Sequence, residues 1–135
     1  MKNILNTSLL IITGILLTSC TTEVDINDHI HNLTPIELMV KSKYDSIEFV
    51  DRPVILLTTE SEEFKKLIDW GSNNTEGWEP SIASYAMADA YLIQTDFYFS
   101  YYKSGFVILK FKDKDGKHRQ FKKQINEGEL DFLFN

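Results

Sequence analysis

Hydrophobic residues follow three different patterns along the chain. A nearly continuous apolar run occupies residues 9–17, a polar stretch without periodicity occupies residues 21–33, and shorter periodic segments follow. The apolar run is far shorter than the roughly 20 residues that a membrane-spanning helix needs. With Lys2 in front of it, the run is typical of a signal peptide, so residues 1–19 are left out of the fold.

One helix is predicted over residues 59–70. The motif Thr59-Glu60-Ser61-Glu62 is a capping box, and its acidic residues suit the positive end of the helix dipole. Apolar residues then recur at helical spacing, and Gly71 is the expected C-terminal stop. The apolar stripe consists of Phe64, Leu67 and Ile68.

Residues 35–50 carry conflicting signals. Thr34-Pro35-Ile36-Glu37 is a second capping box, whereas the alternation of Ile36, Leu38 and Val40 fits a strand. Both readings stay open. Residues 47–50 and 54–58 are apolar and β-branched, which favours strands, and Pro53 between them marks a bend or an edge.

The C-terminal half predicts three strands and a short helix. The strands cover residues 91–102, 105–112 and 118–125, after a loop over residues 71–85. Asp113-Lys114-Asp115-Gly116 is the turn between the last two strands, and the polar third strand is expected at an edge. A last short helix begins near Asn126 and returns apolar residues to the core.

Together these elements predict an α+β fold, in which one or two helices pack on one face of an antiparallel β-meander. Residues 1–19 form the signal peptide. Residues 20–33 comprise a lipidated cysteine and a flexible tether that reaches about 20 Å. Residues 34–135 form a single domain of a size that supports one modest core.

The motif Leu17-Thr18-Ser19-Cys20 resembles the bacterial lipobox. The resemblance implies that Cys20 is acylated, becomes the N-terminus and holds the protein on a bilayer. Thr21 stands where an aspartate would resemble an inner-membrane retention signal, so the outer membrane, facing the periplasm, is favoured. The alternative is an ordinary secretory signal with an incidental cysteine.

Composition limits the classes of partner. Cys20 is the only cysteine, so stability must come from apolar packing, for which nine Phe, six Tyr and two Trp are available. The net charge of −6 makes nucleic acid an unsuitable partner. Acidic residues dominate up to Tyr102 and basic residues from Lys103 to Lys123, which suggests either a steered protein partner or simply a solvated sheet face.

The loop over residues 73–80 is the predicted contact surface for a protein partner. Its candidate contact residues are Asn74, Glu76, Trp78 and Glu79. Tryptophan is the residue type most enriched at interface hot spots. In the alternative reading, Trp78 folds back and covers the helix near Trp70.

No catalytic or metal site is predicted. His29 and His31, with Asp25 and Asp28 nearby, are metal-ligand types, but a preformed site needs rigidly held ligands and this segment reads as tether. No nucleophile motif is present in the sequence. Glu76 and Glu79 lie in an exposed loop without an obvious pocket, so we expect neither catalysis nor a cofactor.

Residues 54–135 resemble small, acidic immunity proteins that neutralise interbacterial toxins. The similarity lies in a strand, a helix ending in Trp, a loop, aromatic-rich paired strands, a glycine hairpin and a terminal helix. The quoted positions are Trp70, Gly77-Trp78, Gly116, Gln120 and Glu129-Leu130-x-Phe132-Leu133. The resemblance implies that the protein occludes a toxin, with Trp78, Glu76 and Glu79 as contacts.

The alternative is a small structural or assembly lipoprotein of the outer membrane. In that reading a basic hairpin faces anionic lipid or an acidic partner. Its residues are Lys110, Lys112, Lys117, Arg119, Lys122 and Lys123. An inhibitor of host lysozyme is disfavoured because no disulfide is available, and an envelope hydrolase because no catalytic motif is found.

Overall fold

The computed structural model describes residues 20–41 and 53–135, so the predicted signal peptide and the predicted strand over residues 47–50 lie outside the described residues. The described part contains seven strands, one α-helix and two 3₁₀ helices. The strands are β1 (Ile36–Val40), β2 (Ile55–Leu57), β3 (Glu79–Pro80), β4 (Ala90–Gln94), β5 (Phe97–Tyr102), β6 (Phe106–Lys112) and β7 (His118–Gln124). The helices are α1 (Glu62–Ser72) and the 3₁₀ helices Ile26–His29 and Asp131–Phe134.

All seven strands belong to one sheet, in the order β2-β1-β4-β5-β6-β7-β3. Each pairing is antiparallel. The predicted α+β class is confirmed. Consecutive hairpins join β4 to β7, while β1 and β2 add on one side and β3 on the other. The polar strand β7, which was expected to be an edge, is therefore covered in part by β3.

The segment that carried conflicting signals is a strand. In β1, Ile36 and Leu38 are buried and Glu37 between them is exposed, as alternation in a pleated strand requires. Leu38 pairs with Leu92 of β4, which is also buried. Long-range pairing therefore decides against the helix that the capping box favoured.

The single strand predicted over residues 91–102 is in fact two. Thr95 and Asp96 form a tight turn between β4 and β5, and Asp96 has a φ of 59°. Aspartate tolerates this left-handed conformation better than most residues. The turn was missed because it contains no glycine.

One face of the sheet carries the main core. Leu38, Leu92, Phe99 and Leu109 form a cross-strand row on this face, and each is nearly or fully buried. In β6, Val107 and Leu109 are buried on this face, while Ile108 and Lys110 point to the other face, where Lys110 is exposed. Helix α1 and both 3₁₀ helices contribute to the same cluster, through Phe64, Leu67, Trp70, Ile26 and Leu133.

Gly71 does not stop α1, which continues to Ser72. A Cβ atom at Gly71 would lie 2.5 Å from Cγ1 of Ile26 and 2.9 Å from Oδ1 of Asn27. Glycine is therefore needed here because the chain before the domain crosses the helix at close range.

Residues 22–31, which we call the N-terminal segment, pack into the fold, and the prediction of a flexible tether is wrong for them. Thr22 forms an antiparallel bridge with Trp78, and the imidazole of His29 stacks on Phe111 with ring centroids 3.6 Å apart. The segment also supplies three buried aliphatic side chains, those of Val24, Ile26 and Ile30. The apolar residues were too irregularly spaced to reveal this burial.

Gln94, a buried polar side chain at the end of β4, holds the other end of the N-terminal segment. Its Oε1 accepts from the His31 N–H at 2.7 Å, and its Nε2 donates to the carbonyl oxygens of His31 at 2.8 Å and Thr34 at 2.6 Å. The amide thus satisfies backbone groups of the turn before β1, which an apolar residue could not do.

Candidate interaction surface

The loop that was predicted to contact a partner contributes its tryptophan to the core. Trp78 is 0% exposed, and its indole N–H donates to the Asn74 carbonyl at 2.9 Å. Its ring meets that of Trp70 edge-on, with centroids 6.5 Å apart and an interplanar angle of 84°. The prediction that Trp78 is a contact residue is therefore wrong for this structure, and the alternative reading describes its position.

Asn74 is also used inside the fold. Its side-chain amide donates to the Trp70 carbonyl at 3.0 Å, which satisfies one of the free carbonyl groups at the end of α1. The nearby Trp70 indole donates to Oε1 of Glu129 at 2.7 Å. Burial acts to raise the pKa of the Glu129 carboxyl, whereas the hydrogen bonds from Asn126 and Trp70 act to lower it. The net result is a lowered pKa.

Glu76 and Glu79 are exposed, as predicted, but the structure does not bring them together in a cleft. Glu79 opposes Lys122 in the β3–β7 register, and the Glu76 carbonyl accepts a hydrogen bond from Nζ of Lys123. Glu76 and Gly77 line a shallow depression of about 480 Å³ with residues 21–23.

A row of partly exposed side chains crosses the other face of the sheet. Leu56, Glu37, Ile93 and Tyr98 are successive cross-strand partners on β2, β1, β4 and β5, and we call them the open row. Leu56 is 59% exposed and Tyr98 49%. The row borders a depression of about 520 Å³, whose remaining lining residues are Thr34, Pro35, Gln94 and Thr95.

Part of this face is covered, whereas Lys110 and Lys112 stay exposed on it. The segment after β3 lays Tyr85 and Ala88 over Tyr102, Phe106 and Ile108, which form a second, smaller core. Tyr102 donates to the Ala86 carbonyl at 2.8 Å, and burial is the main cause that raises its pKa. The open row therefore begins where this covering segment ends.

Strand β2, which carries Leu56 of the open row, forms one edge of the described sheet. Within the described ranges, its only strand partner is β1, so its outer backbone groups face away from the sheet. Val54, Ile55 and Leu56 are all about half exposed. The sequence predicted a strand here, and Pro53 was the one signal of a bend or an edge.

The basic hairpin of β6 and β7 is partly engaged by internal partners. Nε of Arg119 lies 2.7 Å from Oδ2 of Asp113, and Nζ of Lys122 lies 4.6 Å from the ring centroid of Phe106. The backbone N–H of Lys117, followed by Arg119, lowers the pKa of the Asp113 carboxyl. These bonds hold the predicted hairpin turn, where Gly116 has a φ of 77°.

A third depression, of about 640 Å³, lies beside the stacked pair of His29 and Phe111. Burial lowers the pKa of the His29 imidazole, and the negative charges of Asp28 and Asp25 act in the opposite direction. Across the part of the chain that the structure describes, no group of three or more His, Cys, Asp or Glu residues is placed to hold a metal ion.

None of the helices in the described ranges has the length and apolar character needed to cross a bilayer. The chain matches no protein-family model, no curated protein and no solved structure. The functional argument therefore starts from the surfaces described above.

Proposed function

We propose that the chain is a lipid-anchored binding protein of the bacterial envelope, and that it acts as an immunity protein that occludes a secreted toxin. The lipobox-like motif and the exposed Cys20 support the anchor. The open row, beside a strand edge that no other described strand pairs with, is the observation that carries the binding role. In this proposal the protein needs no catalysis, cofactor or metal.

The chemistry of the open row suits a protein partner. Leu56 and Tyr98 offer apolar and aromatic surface, and Tyr is enriched at interface hot spots. Glu37 places a negative charge between Leu56 and Ile93, which favours a partner groove with a basic group. The outer edge of β2, which pairs with no other strand in residues 20–41 and 53–135, adds a template for backbone pairing with an extended segment of the partner.

We further propose that Cys20 is acylated and that the protein faces the periplasm from the outer membrane. A toxin that acts on the envelope would be met there before it reaches its target. The contact surface in this proposal differs from the predicted loop over residues 73–80, because Trp78 is buried and Asn74 binds the end of α1.

The alternative, an assembly lipoprotein, is favoured by the exposure of Lys110, Lys112 and Lys117 on one hairpin. Against it, Arg119, Lys122 and Lys123 of the same hairpin have partners within the chain. The alternative requires a phenotype in pure culture, whereas the immunity role requires one only in the presence of a toxin.

The test compares two matched charge reversals. Cells that lack the chain are complemented with wild type, Glu37→Lys or Glu76→Lys, and are then mixed with cells that secrete the product of the adjacent open reading frame. Both glutamates are exposed, so neither change should unfold the domain. We expect wild type and Glu76→Lys to protect the cells, and Glu37→Lys to protect them poorly.

Two results would redirect the proposal. Loss of protection in Glu76→Lys alone would return the contact surface to the loop over residues 73–80. A deletion strain whose envelope leaks in pure culture, with no sensitivity to the neighbouring product, would favour the assembly role.

A further inference from the structure

The chain is fixed to the domain very close to Cys20. The Thr22 N–H donates to the Trp78 carbonyl at 2.7 Å, and the Trp78 N–H donates to the Thr22 carbonyl at 3.2 Å. Two residues later, the Val24 N–H donates to the Thr75 carbonyl at 2.8 Å. The first ordered contact of the domain therefore lies two residues after the cysteine.

This arrangement shortens the reach of any anchor at Cys20. Two residues extend by at most about 7 Å, whereas a free segment of the length first predicted would reach about 20 Å. The side chains after Thr22 also resist release, because Val24 and Ile26 are buried against the fold. A lipid on Cys20 would thus be coupled to the domain almost rigidly.

We infer that the domain sits on its membrane in one orientation, an inference that rests on the proposed acylation of Cys20. The end formed by residues 20–23, Glu76 and Gly77 faces the bilayer. The sheet then extends away from it, because Trp78 leads directly into β3 and β2 is the opposite edge of the described sheet. Six interstrand spacings separate these edges, which is roughly 29 Å along the sheet.

The bilayer-facing end is polar, which places it at the level of the head groups and not deeper. Its exposed residues are Thr21, Thr22, Glu23, Glu76 and Gly77, and none of them carries an apolar side chain that would insert into the acyl region. The apolar residues of β2 are placed far from the anchor, where their half-exposed side chains would meet a partner that approaches through the periplasm.

Depth-dependent quenching tests this orientation. The full chain is produced in its acylated form and reconstituted in phospholipid vesicles that contain a lipid with a nitroxide on its head group. Because acylation occupies the only native cysteine, Glu76→Cys and Leu56→Cys each provide one free thiol for a fluorophore. We expect the probe at residue 76 to lose most of its emission and the probe at residue 56 to keep nearly all of it.

A linker supplies the matched control. A short Gly-Ser insertion between Cys20 and Thr21 leaves the Thr22–Trp78 pair intact but frees the domain from the bilayer. The insertion should reduce the quenching at residue 76 to the level at residue 56. The same insertion in the turn at Asp115 and Gly116 should change neither value.

The outcomes separate this inference from the proposed anchor. Equal quenching at the two positions, or no effect of the linker, would overturn the fixed orientation while mass analysis still finds acylated Cys20. Absence of acyl chains on Cys20 would overturn the anchor and the orientation together.

Discussion

The two edges of the described sheet are β3 and β2, and they differ in whether another segment of the chain pairs with their outer backbone groups. At the β3 edge, Trp78 is buried and its backbone pairs with Thr22, so the chain closes this edge itself. At the β2 edge, Leu56 is exposed and no described strand covers it. We call these the closed edge and the open edge.

The contrast teaches that residue type alone does not identify the binding surface. An exposed apolar edge invites association with other chains, and proteins usually shorten, charge or cover such edges. Here a tryptophan, the residue most suggestive of an interface, is a core residue at the closed edge. Aliphatic residues, which suggest a core, are the exposed ones at the open edge.

The largest expected difference between the edges is in stability. Trp78→Ala should lower the free energy of unfolding by about 3–5 kcal/mol, because it leaves a cavity where a fully buried indole packs. Tyr98→Ala, in the open row, should lower it by about 1 kcal/mol or less, because half of that side chain is already exposed. Urea unfolding followed by circular dichroism measures both.

Equal losses in the two variants would contradict the distinction between a closed and an open edge. Glu76→Ala is a control for a change in the same loop, because Glu76 lies two residues before Trp78 and its side chain is exposed. It should leave the unfolding midpoint nearly unchanged.

Local signals predicted the elements that depend on local contacts. Helix α1 was expected to begin at residue 59 and begins at Glu62, and the hairpin at Asp113 and Gly116 forms as expected. The helix follows from its helical periodicity and the hairpin from a positive-φ glycine, which need only neighbouring residues. The predicted capping box does not form, because Ser61 stands at the N-cap and makes no side-chain capping bond.

Non-local contacts decided what the sequence did not reveal. The N-terminal segment is buried because Gln94 and Phe111, far along the chain, bind its end and its histidine. The open row exists only once four strands take their register, since its members Leu56 and Tyr98 lie on strands separated by β1 and β4. Neither could be found by scanning a short window.

The closed edge depends on a close approach between α1 and the N-terminal segment, and Gly71→Ala tests it. In an open helix this change would stabilise by about 1 kcal/mol. Here the added methyl group meets Ile26 at 2.5 Å, so we expect a net loss of about 1–3 kcal/mol in the free energy of unfolding.

The double variant Ile26→Ala/Gly71→Ala sharpens this prediction. Ile26→Ala removes the aliphatic atoms nearest to the new methyl group, so the loss from Gly71→Ala should be smaller in that background. Strictly additive losses would mean that the N-terminal segment does not lie against Gly71 in solution.

Between the two edges, Tyr101 of β5 links the sheet to the C-terminal 3₁₀ helix through a bond to Oδ1 of Asp131 at 3.0 Å. Burial, followed by this bond, raises the pKa of Tyr101 from 10.0 to about 12. The folded state therefore holds the phenol proton more tightly than the unfolded state does. The contribution of this phenol to the free energy of unfolding is present below pH 10 and is lost as the pH rises through about 12.

This loss should reach about 1–2 kcal/mol and should be smaller in Tyr101→Phe, which cannot ionise. Urea unfolding at a series of pH values between 10 and 12 gives the slope for each variant. A residual slope is expected because the pKa of Tyr102 is also raised. An unchanged slope in Tyr101→Phe would show that this phenol does not cause the pH dependence.

The smallest expected effect is an acid sensitivity at the stacked pair of His29 and Phe111, between the two edges. Burial against Phe111 lowers the pKa of His29 from 6.5, so the folded state favours the neutral imidazole. Its contribution to stability is present above pH 6.5 and is lost as the pH falls below that value, through the lowered pKa. NMR titration of the imidazole should give a midpoint below 6.5, and His29→Gln should reduce the loss of stability in acid. A midpoint at or above 6.5 would mean that His29 leaves Phe111 in solution, and the N-terminal segment would then be fixed by its pairing at the closed edge without the support of this stack.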